Sequence, residues 1–302
     1  MTVRAILLGL ISAAIVCGVT FFNDLVLQQT MFVGNYLPIS VFGGLFVFVL
    51  MINPLLGSIR KNWALRGREL AVAMVITFAA CYVPGRGLMH YFCTALMWPH
   101  QYADSPGWKK QDIIHTVPEQ MIADPSHNRE EALGEFLSGM SKGQDHISFS
   151  DIPWYAWTRT LLFWIPLIVT ISIALIALAT VLHRQWAAHE KLRYPIVTFA
   201  HSLLPEQGRF SPKIFRNKLF WLSTISVFII HMSNYAYVWW PDKMIRIPVE
   251  FDFGAIAPSV PNLIRGGGFD LLRVHFYFTA IGFAYLLATD LSLSLGIAPY
   301  LY

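Results

Sequence analysis

One stretch of this chain is long and apolar enough to cross a lipid bilayer, and its flank indicates the direction of the crossing. The 23 residues from Thr160 to Leu182 carry no charge. A helix of that length reaches roughly 34 Å, and a hydrocarbon core is about 30 Å thick. The segment that follows, residues 183–195, is basic and amphipathic, so we expect it in the cytoplasmic interface. The sequence therefore predicts an outside-to-inside membrane span here.

The composition of the whole chain favours the same class. Of the 302 residues, 55% are hydrophobic and only 13% are charged, whereas soluble domains carry roughly 25% charged residues. The net charge is only +4, and the cations flank apolar runs, as is typical of loops beside an anionic leaflet. We therefore expect membrane lipid and a small-molecule solute as partners and no nucleic acid, and the sequence leaves open whether the chain forms a homo-oligomer.

Further apolar stretches predict five more spans. They cover residues 5–23, 38–54, 69–98, 219–237 and about 274–295. The predicted fold is an all-α, polytopic integral membrane helix bundle of about six spans, a single transmembrane domain over residues 1–302. Because the chain stops soon after the last span without a charged flank, we expect it to be the N-terminal half of a longer protein.

The charges of the connecting loops assign the two sides of the membrane. Residues 60–68 hold four cations and no acid, and residues 183–218 hold seven Lys or Arg against two acids. Both loops are therefore expected in the cytoplasm, together with the N-terminus. The loop 99–156 has nine acids against four bases and is expected outside, as is the loop 241–270.

The outer loop 99–156 also contains a helical pattern. Asp124-Pro125 is typical of a helix start. Apolar residues then recur at helical spacing, which predicts a short outer helix that caps the ends of the spans. These residues are Leu133, Phe136, Leu137 and Met140.

Pro84-Gly85-Arg86-Gly87 interrupts the third apolar stretch. A helix cannot pass this tetrapeptide undisturbed, so the third helix is predicted to be kinked or broken. One interpretation is that the unwound turn lines a cavity in which Arg86 binds a solute. The alternative is that the span ends at Tyr82 and that Arg86 reaches the outer headgroups.

Six short motifs follow one another in the chain. They are Arg4-Ala5-Ile6-x-x-Gly9, Asn35-Tyr36-Leu37-Pro38, Asn53-Pro54, Arg68-Glu69-Leu70, Pro84-Gly85-x-Gly87-Leu88-x-x-Tyr91 and Arg184-Gln185-Trp186-x-x-x-Glu190-x-Leu192-x-Tyr194-Pro195. Together they resemble bacterial, mainly planctomycete and verrucomicrobial, polytopic membrane proteins of unknown function, which are similar to the oligopeptide transporter family. The resemblance covers nearly the whole chain, most closely residues 3–205. It implies secondary transport by alternating access in the bacterial cytoplasmic (inner) membrane.

Polar residues inside the last two spans are further binding candidates. Asp290 falls about midway through the predicted sixth span, where it is either a coupling-ion or proton site or a structural hydrogen bond. His231 and Asn234 share one face of the fifth span. They contact either a solute or a neighbouring helix.

Each remaining candidate has both a functional and a purely structural interpretation. Glu190 is either a gating residue or an ion-pair partner of its basic neighbours. Asn23 and Asp24 are either a solute entry or a solvated helix end. His90 and Cys93 share a helical face, but two ligands without a third make a poor metal site, so we expect no metal and no cofactor.

The leading functional hypothesis is a secondary transporter for a small peptide-like or chelate-like solute. The sequence contains no G-x-S-x-G, no H-E-x-x-H and no phosphate-binding glycine loop, so we do not expect an enzyme. The alternatives are a structural or assembly protein that binds an envelope partner through its outer loop, and a membrane-embedded enzyme assembled from scattered residues.

Overall fold

Helices make up most of the computed structural model, which describes residues 2–28, 31–34, 38–140, 147–192, 194–206 and 208–301. The α-helices are α1 (Val3–Phe21), α2 (Ile39–Val47), α3 (Asn53–Ile59), α4 (Gly67–Ala80), α5 (Cys93–Met97), α6 (Pro99–Tyr102), α7 (Pro106–Gln111), α8 (Ile113–Thr116), α9 (Glu135–Ser138), α10 (Trp154–Arg184), α11 (Pro195–Ser202), α12 (Lys218–Trp239), α13 (Pro261–Arg265), α14 (Phe278–Leu286) and α15 (Thr289–Leu301). The motif residues 35–37 and Arg193 lie outside the described residues.

Other regular elements are short. π-Helices occur at Phe22–Val26, Phe48–Ile52, Arg86–Phe92, Glu130–Gly134 and Gln185–His189, and 3₁₀-helices at Lys213–Arg216, Gly254–Ser259 and Gly268–Leu272. Strands β1 (Glu250–Asp252) and β2 (Arg273–His275) pair antiparallel, with Phe251 opposite Val274. The helical class predicted from the sequence is confirmed.

The chain divides into two compact units. One comprises residues 1–2, 42–72 and 192–302, and the other comprises residues 3–41 and 73–191. The first contains the loops on either side of α11, and the second contains the interrupted third helix.

Four helices are long and apolar enough to cross a membrane. They are Val3–Val26, Ser40–Ile59, Trp154–His189 and Lys218–Trp239. Their exposed surfaces are apolar, as in α10, where Leu162 and Val181 are both largely exposed. Such surfaces require a lipid environment, so the chain is a membrane protein.

Small residues let α1 approach α4 closely. Ala5, Gly9 and Ala13 lie one turn apart and are buried. A Cβ on Gly9 would lie only 2.9 Å from the Ile76 Cβ and 3.1 Å from the Ala73 Cα. Because lipid tails give no hydrophobic drive for helix pairing, close packing through small residues is what holds such helices together.

The predicted end of the second span near Asn53-Pro54 is wrong. The helix continues through Pro54 to Ile59, and the π-helix Phe48–Ile52 lies directly before the proline. Proline lacks an N–H and its ring clashes with the carbonyl of the preceding turn. The wider π turn accommodates this clash, so the helix does not end there.

The predicted continuous sixth span is also wrong. Residues 273–275 form β2, α14 ends at Leu286, and α15 begins at Thr289. Asp290 therefore lies in the first turn of α15 rather than midway through one helix, and its side chain is exposed. An acidic residue in a first turn is stabilised by the amino end of the helix dipole.

Part of the segment 99–156 packs on the start of α10. Leu96, Met97, Ala123, Leu133 and Trp157 are buried together in one apolar cluster. A backbone hydrogen bond also holds this cluster together, since Ala123 N–H donates to the Leu96 carbonyl at 3.1 Å. α10 therefore begins at Trp154, before the predicted Thr160, because its first turns are buried against this segment.

The helix predicted within the segment 99–156 differs from its prediction in both bounds. Asp124 accepts a hydrogen bond from Ser126 N–H at 3.0 Å instead of starting a helix. The helical turns cover Glu130–Gly134 and α9, and they end where Gly139 adopts a φ of +94°. Phe136 packs against the cluster, whereas Leu137 is 43% exposed.

Candidate functional site

The third helix is interrupted where the sequence predicts it. α4 ends at Ala80, residues 81–85 form turns, and a π-helix begins at Arg86. Within the turns, Cys81 N–H still donates to the Thr77 carbonyl at 3.1 Å. The N–H groups of Tyr82 and Val83 donate to the Ala79 and Ala80 carbonyls at 3.4 Å and 3.0 Å. The helix therefore tightens into turns before Pro84 and resumes at Arg86.

The two glycines of the interruption differ in their surroundings. A Cβ on Gly85 would lie 3.3 Å from the carbonyl oxygens of both Cys81 and Tyr82. A Cβ on Gly87 would meet nothing within 4 Å among the described residues. A side chain at position 85 would thus press against two backbone carbonyls, whereas at position 87 the glycine leaves open space next to Arg86.

A buried carboxylate lies beside this break. Asp24, in the π-helix at the end of α1, has a side chain that is 2% exposed. Its Oδ1 accepts hydrogen bonds from Asn23 Nδ2 at 2.7 Å and from Phe32 N–H at 2.9 Å. Its Oδ2 is buried and has no hydrogen-bond donor among the described residues. A carboxylate that is only half satisfied is costly in a membrane protein, so it indicates a functional position.

His90 faces the open oxygen of this carboxylate. Its Nε2 lies 3.5 Å from Asp24 Oδ2, and its side chain is 16% exposed. His90 belongs to the π-helix Arg86–Phe92, so both partners lie in π-helical turns. Such turns are rare and occur frequently at functional sites, because they turn side chains out of the regular helical register.

The Asp24 and His90 pair can hold or pass a proton. The contact becomes an ion pair only when the imidazole is protonated, so proton uptake changes the interaction between α1 and the interrupted helix. Carboxylate and imidazole groups inside membrane proteins serve as proton relays. The described residues contain no group of three His, Cys, Asp or Glu side chains suited to a metal ion.

Arg86 lies one turn before His90 and provides a cation. Its Nε donates to the Met31 Sδ at 2.9 Å. Within the described part of the chain no carboxylate lies within 4.0 Å of its guanidinium. A thioether is a weak acceptor, so most of the donor capacity of this side chain is available for an anionic group.

The two candidates on α12 have local partners. Asn234 Nδ2 donates to the Ile247 carbonyl at 2.9 Å, and Ile247 N–H donates to Asn234 Oδ1 at 2.7 Å. The His231 ring packs edge-on against Phe278, with centroids 5.7 Å apart. Asn234 is therefore engaged in fastening the following loop rather than open to a solute.

The remaining sequence candidates do not join the site. Glu190 is exposed and accepts a hydrogen bond from Gln185 Nε2 at 3.3 Å. No ion pair links it to Arg184 or Lys191 within the described residues. Asp290 is exposed in the first turn of α15, and Cys93 is exposed without a metal-binding partner among the described side chains.

The sequence does not bring Asp24 and His90 together. Asp24 is interpreted from the sequence, with Asn23, as a solute entry or a solvated helix end, and His90 only in combination with Cys93. The signal present in the sequence was the isolation of Asp24, the one acid between Arg4 and Arg60. Its burial, however, depends on the segment after α1, whose Phe32 N–H turns back to the carboxylate.

Comparison with known proteins identifies one family. The model of a family described as "Family of unknown function (DUF6785)" matches residues 1–298. No curated protein matches the chain, and no solved structure does.

Proposed function

The chain belongs to this family of unknown function, and from the geometry of its own residues we propose that it is a secondary transporter of the oligopeptide-transporter type. The single observation that carries the proposal is the buried Asp24 carboxylate, whose open oxygen faces His90 beside an interrupted helix. In this proposal the pair exchanges a proton during the transport cycle, and the movement of that proton drives a small peptide-like or chelate-like solute across the membrane.

Arg86 supplies the binding group for the solute. Peptides and many chelates carry carboxylates, and a guanidinium binds a carboxylate through two parallel hydrogen bonds. The open space at Gly87 and the absence of a nearby carboxylate among the described residues leave this cation accessible to such a group. Arg86 and His90 lie on the same π-helix of the interrupted third helix, and Asp24 lies beside it. The solute and the proton would thus bind next to each other.

We further propose six membrane crossings with the N-terminus in the cytoplasm. Four are the long apolar helices, and two are discontinuous: the third, broken at residues 81–85, and the sixth, broken between α14 and α15. Discontinuous helices are the usual place for solute and ion sites in secondary transporters, since unwound backbone lines the cavity. The positive loops 60–68 and 183–218 support the orientation.

A cysteine-labelling experiment tests this topology. In a background without the three native cysteines, a cysteine at Gly143, which lies outside the described residues, should react with an impermeant thiol reagent on intact cells. A cysteine at Glu206 should react only after the cells are lysed. The opposite pattern would reverse the orientation.

The transport test uses the full-length protein in proteoliposomes that contain a pH-sensitive dye. With an inward proton gradient, short peptides added outside should accelerate acidification of the lumen. Asp24→Asn should abolish this acceleration, because the amide can keep the contacts of Oδ1 but cannot take up a proton. The matched control is Asp242→Asn, since Asp242 is an exposed acid on the loop after α12.

Two further variants separate the two roles. Arg86→Gln should raise the KM for peptide, because it removes the solute-binding charge, and His90→Gln should lower the rate at saturating peptide. Gel filtration of each variant checks that it remains folded. Peptide uptake that is unchanged in Asp24→Asn, or no uptake under any gradient, contradicts the proposal.

A further inference from the structure

A second feature, in the other compact unit, is a strongly basic pocket of about 1580 Å³. Its walls come from two segments that are distant in sequence, residues 61–71 and 201–217. Among its described lining residues there is one carboxylate, that of Glu206. The six cationic lining residues are Lys61, Arg66, Arg68, Arg209, Lys213 and Arg216.

A buried asparagine ties the two walls of this basic pocket together. Asn53 is 0% exposed. Its Nδ2 donates to the Leu65 carbonyl at 3.1 Å and to the Phe210 carbonyl at 2.9 Å, and its Oδ1 accepts from Leu65 N–H at 2.7 Å. One side chain therefore satisfies backbone groups from both walls, which defines their separation.

Two glycines allow the walls to meet. A Cβ on Gly57 would lie 2.8 Å from the Phe210 ring, and a Cβ on Gly67 would collide with the Pro205 carbonyl oxygen. Only glycine fits at such distances. The basic pocket is therefore produced by specific backbone packing, beyond what a merely positive cytoplasmic loop requires.

The charges of the basic pocket are poorly compensated. Arg209 lies 3.7 Å from Glu206. The other five cations have no carboxylate within 4.0 Å in the part of the chain that the structure describes. Their mutual repulsion is relieved when an anion binds, so the pocket favours a group with concentrated negative charge such as a phosphate.

The position of the basic pocket in the chain places it at headgroup depth. One wall begins directly after the candidate span Ser40–Ile59, and the other ends directly before the candidate span Lys218–Trp239. Apolar side chains at both span ends are exposed, with Ile59 at 60% and Leu219 at 69%. Lipid phosphates lie at the level where apolar spans give way to polar loops.

From these observations we propose that the basic pocket binds the phosphate of an anionic phospholipid headgroup. The cations hold the phosphate, and the acyl chains lie along the exposed apolar ends of the two spans. This site is separate from the Asp24 and His90 pair and does not depend on the proposed transport activity.

The test is a calorimetric titration of the full-length protein in detergent. The probes are dioctanoyl phosphatidylglycerol, dioctanoyl phosphatidylcholine and inorganic phosphate. The test variant is the double substitution Arg68→Gln with Lys213→Gln. The matched control is Lys243→Gln with Arg246→Gln, which also removes one lysine and one arginine, but from exposed positions outside the pocket.

We expect saturable binding of phosphatidylglycerol and much weaker binding of phosphatidylcholine. Each cation near an anionic surface contributes roughly a fivefold factor, so the test variant should bind phosphatidylglycerol about 30-fold more weakly. The control variant should bind like the unmodified protein. Gel filtration excludes misfolding as the cause.

Three results would overturn the proposal. Equal binding of the two lipids would show that the negative charge is not recognised. Equal weakening in the test and control variants would show that the effect comes from net charge alone. Displacement of phosphatidylglycerol by inorganic phosphate at similar affinity would show that the site takes a soluble phosphate instead of a lipid.

Discussion

Replacing Asn53 by alanine should destabilise the protein more than any other single asparagine truncation in the described part of the chain. Asn53 makes three hydrogen bonds to the backbones of Leu65 and Phe210. Asn53 is 0% exposed and Leu65 only 4%, so Asn53→Ala leaves the Leu65 carbonyl and N–H buried without partners, and the part-buried Phe210 carbonyl also loses its donor. A buried polar group without a partner costs about 1–3 kcal/mol, so the two Leu65 groups alone predict a loss of about 2–6 kcal/mol.

The assay is thermal unfolding of the detergent-solubilised protein, followed by tryptophan fluorescence at one fixed scan rate. A loss of about 3 kcal/mol in a chain of this size lowers the Tm by roughly 6 °C. Asn262→Ala is the matched control, because the Asn262 side chain is exposed and makes no hydrogen bond with the described residues. A Tm for Asn53→Ala that coincides with that of the control would refute this reasoning.

A second variant separates the hydrogen bonds from the cavity that alanine leaves. Asn53→Asp has nearly the same shape, and it keeps the oxygen that accepts from Leu65 N–H. It replaces the amide group that donates to the Leu65 and Phe210 carbonyls by a second oxygen. If the hydrogen bonds carry the stability, this variant is at least as unstable as Asn53→Ala; a stable aspartate variant would assign the loss to the cavity.

Two further predictions concern packing and pH. Gly9→Leu should lower the Tm by roughly 2–6 °C, since overpacking against Ile76 costs about 1–3 kcal/mol. Gly18→Leu is the control and should leave the Tm unchanged, because a Cβ there meets no described atom within 4 Å. Burial lowers the pKa of His100, whose Nε2 donates to the Ala123 carbonyl at 2.6 Å. The folded state therefore takes up this proton less readily than the unfolded chain, and stability falls as the pH drops below the usual 6.5. Hydrogen exchange around Ala123, corrected for intrinsic rates, should show lower protection at about pH 5 than at pH 7, and His100→Gln should remove this difference.

Sequence reasoning predicted what depends on local composition. The candidate spans at Val3–Val26, Trp154–His189 and Lys218–Trp239 follow from apolar length alone. The break at residues 81–85 follows from proline and glycine chemistry, which acts within one turn. These features could be predicted because no distant residue is needed to produce them.

Two predicted helix boundaries were wrong because the backbone adopts a local geometry that composition does not indicate. At Pro54 a π turn absorbs the missing hydrogen bond, so the helix continues to Ile59. At the sixth apolar stretch the pairing of β1 with β2 takes residues 273–275 out of the helix. In both cases the decisive feature lies elsewhere in the chain: the π turn before Pro54 and the strand β1 that pairs with residues 273–275.

The sequence by itself determined the membrane class of this protein, for which the uncharged stretch Thr160 to Leu182 is the clearest example. It also determined the helical content and the place where the third helix breaks. The tertiary structure alone decided which polar groups meet. Asp24 became a candidate because Phe32 N–H folds back to it and His90 Nε2 lies 3.5 Å away. The basic pocket likewise exists because Asn53 joins two distant loops. Apolarity is a sum over neighbouring residues, whereas burial and pairing of a charge depend on residues that only folding brings together.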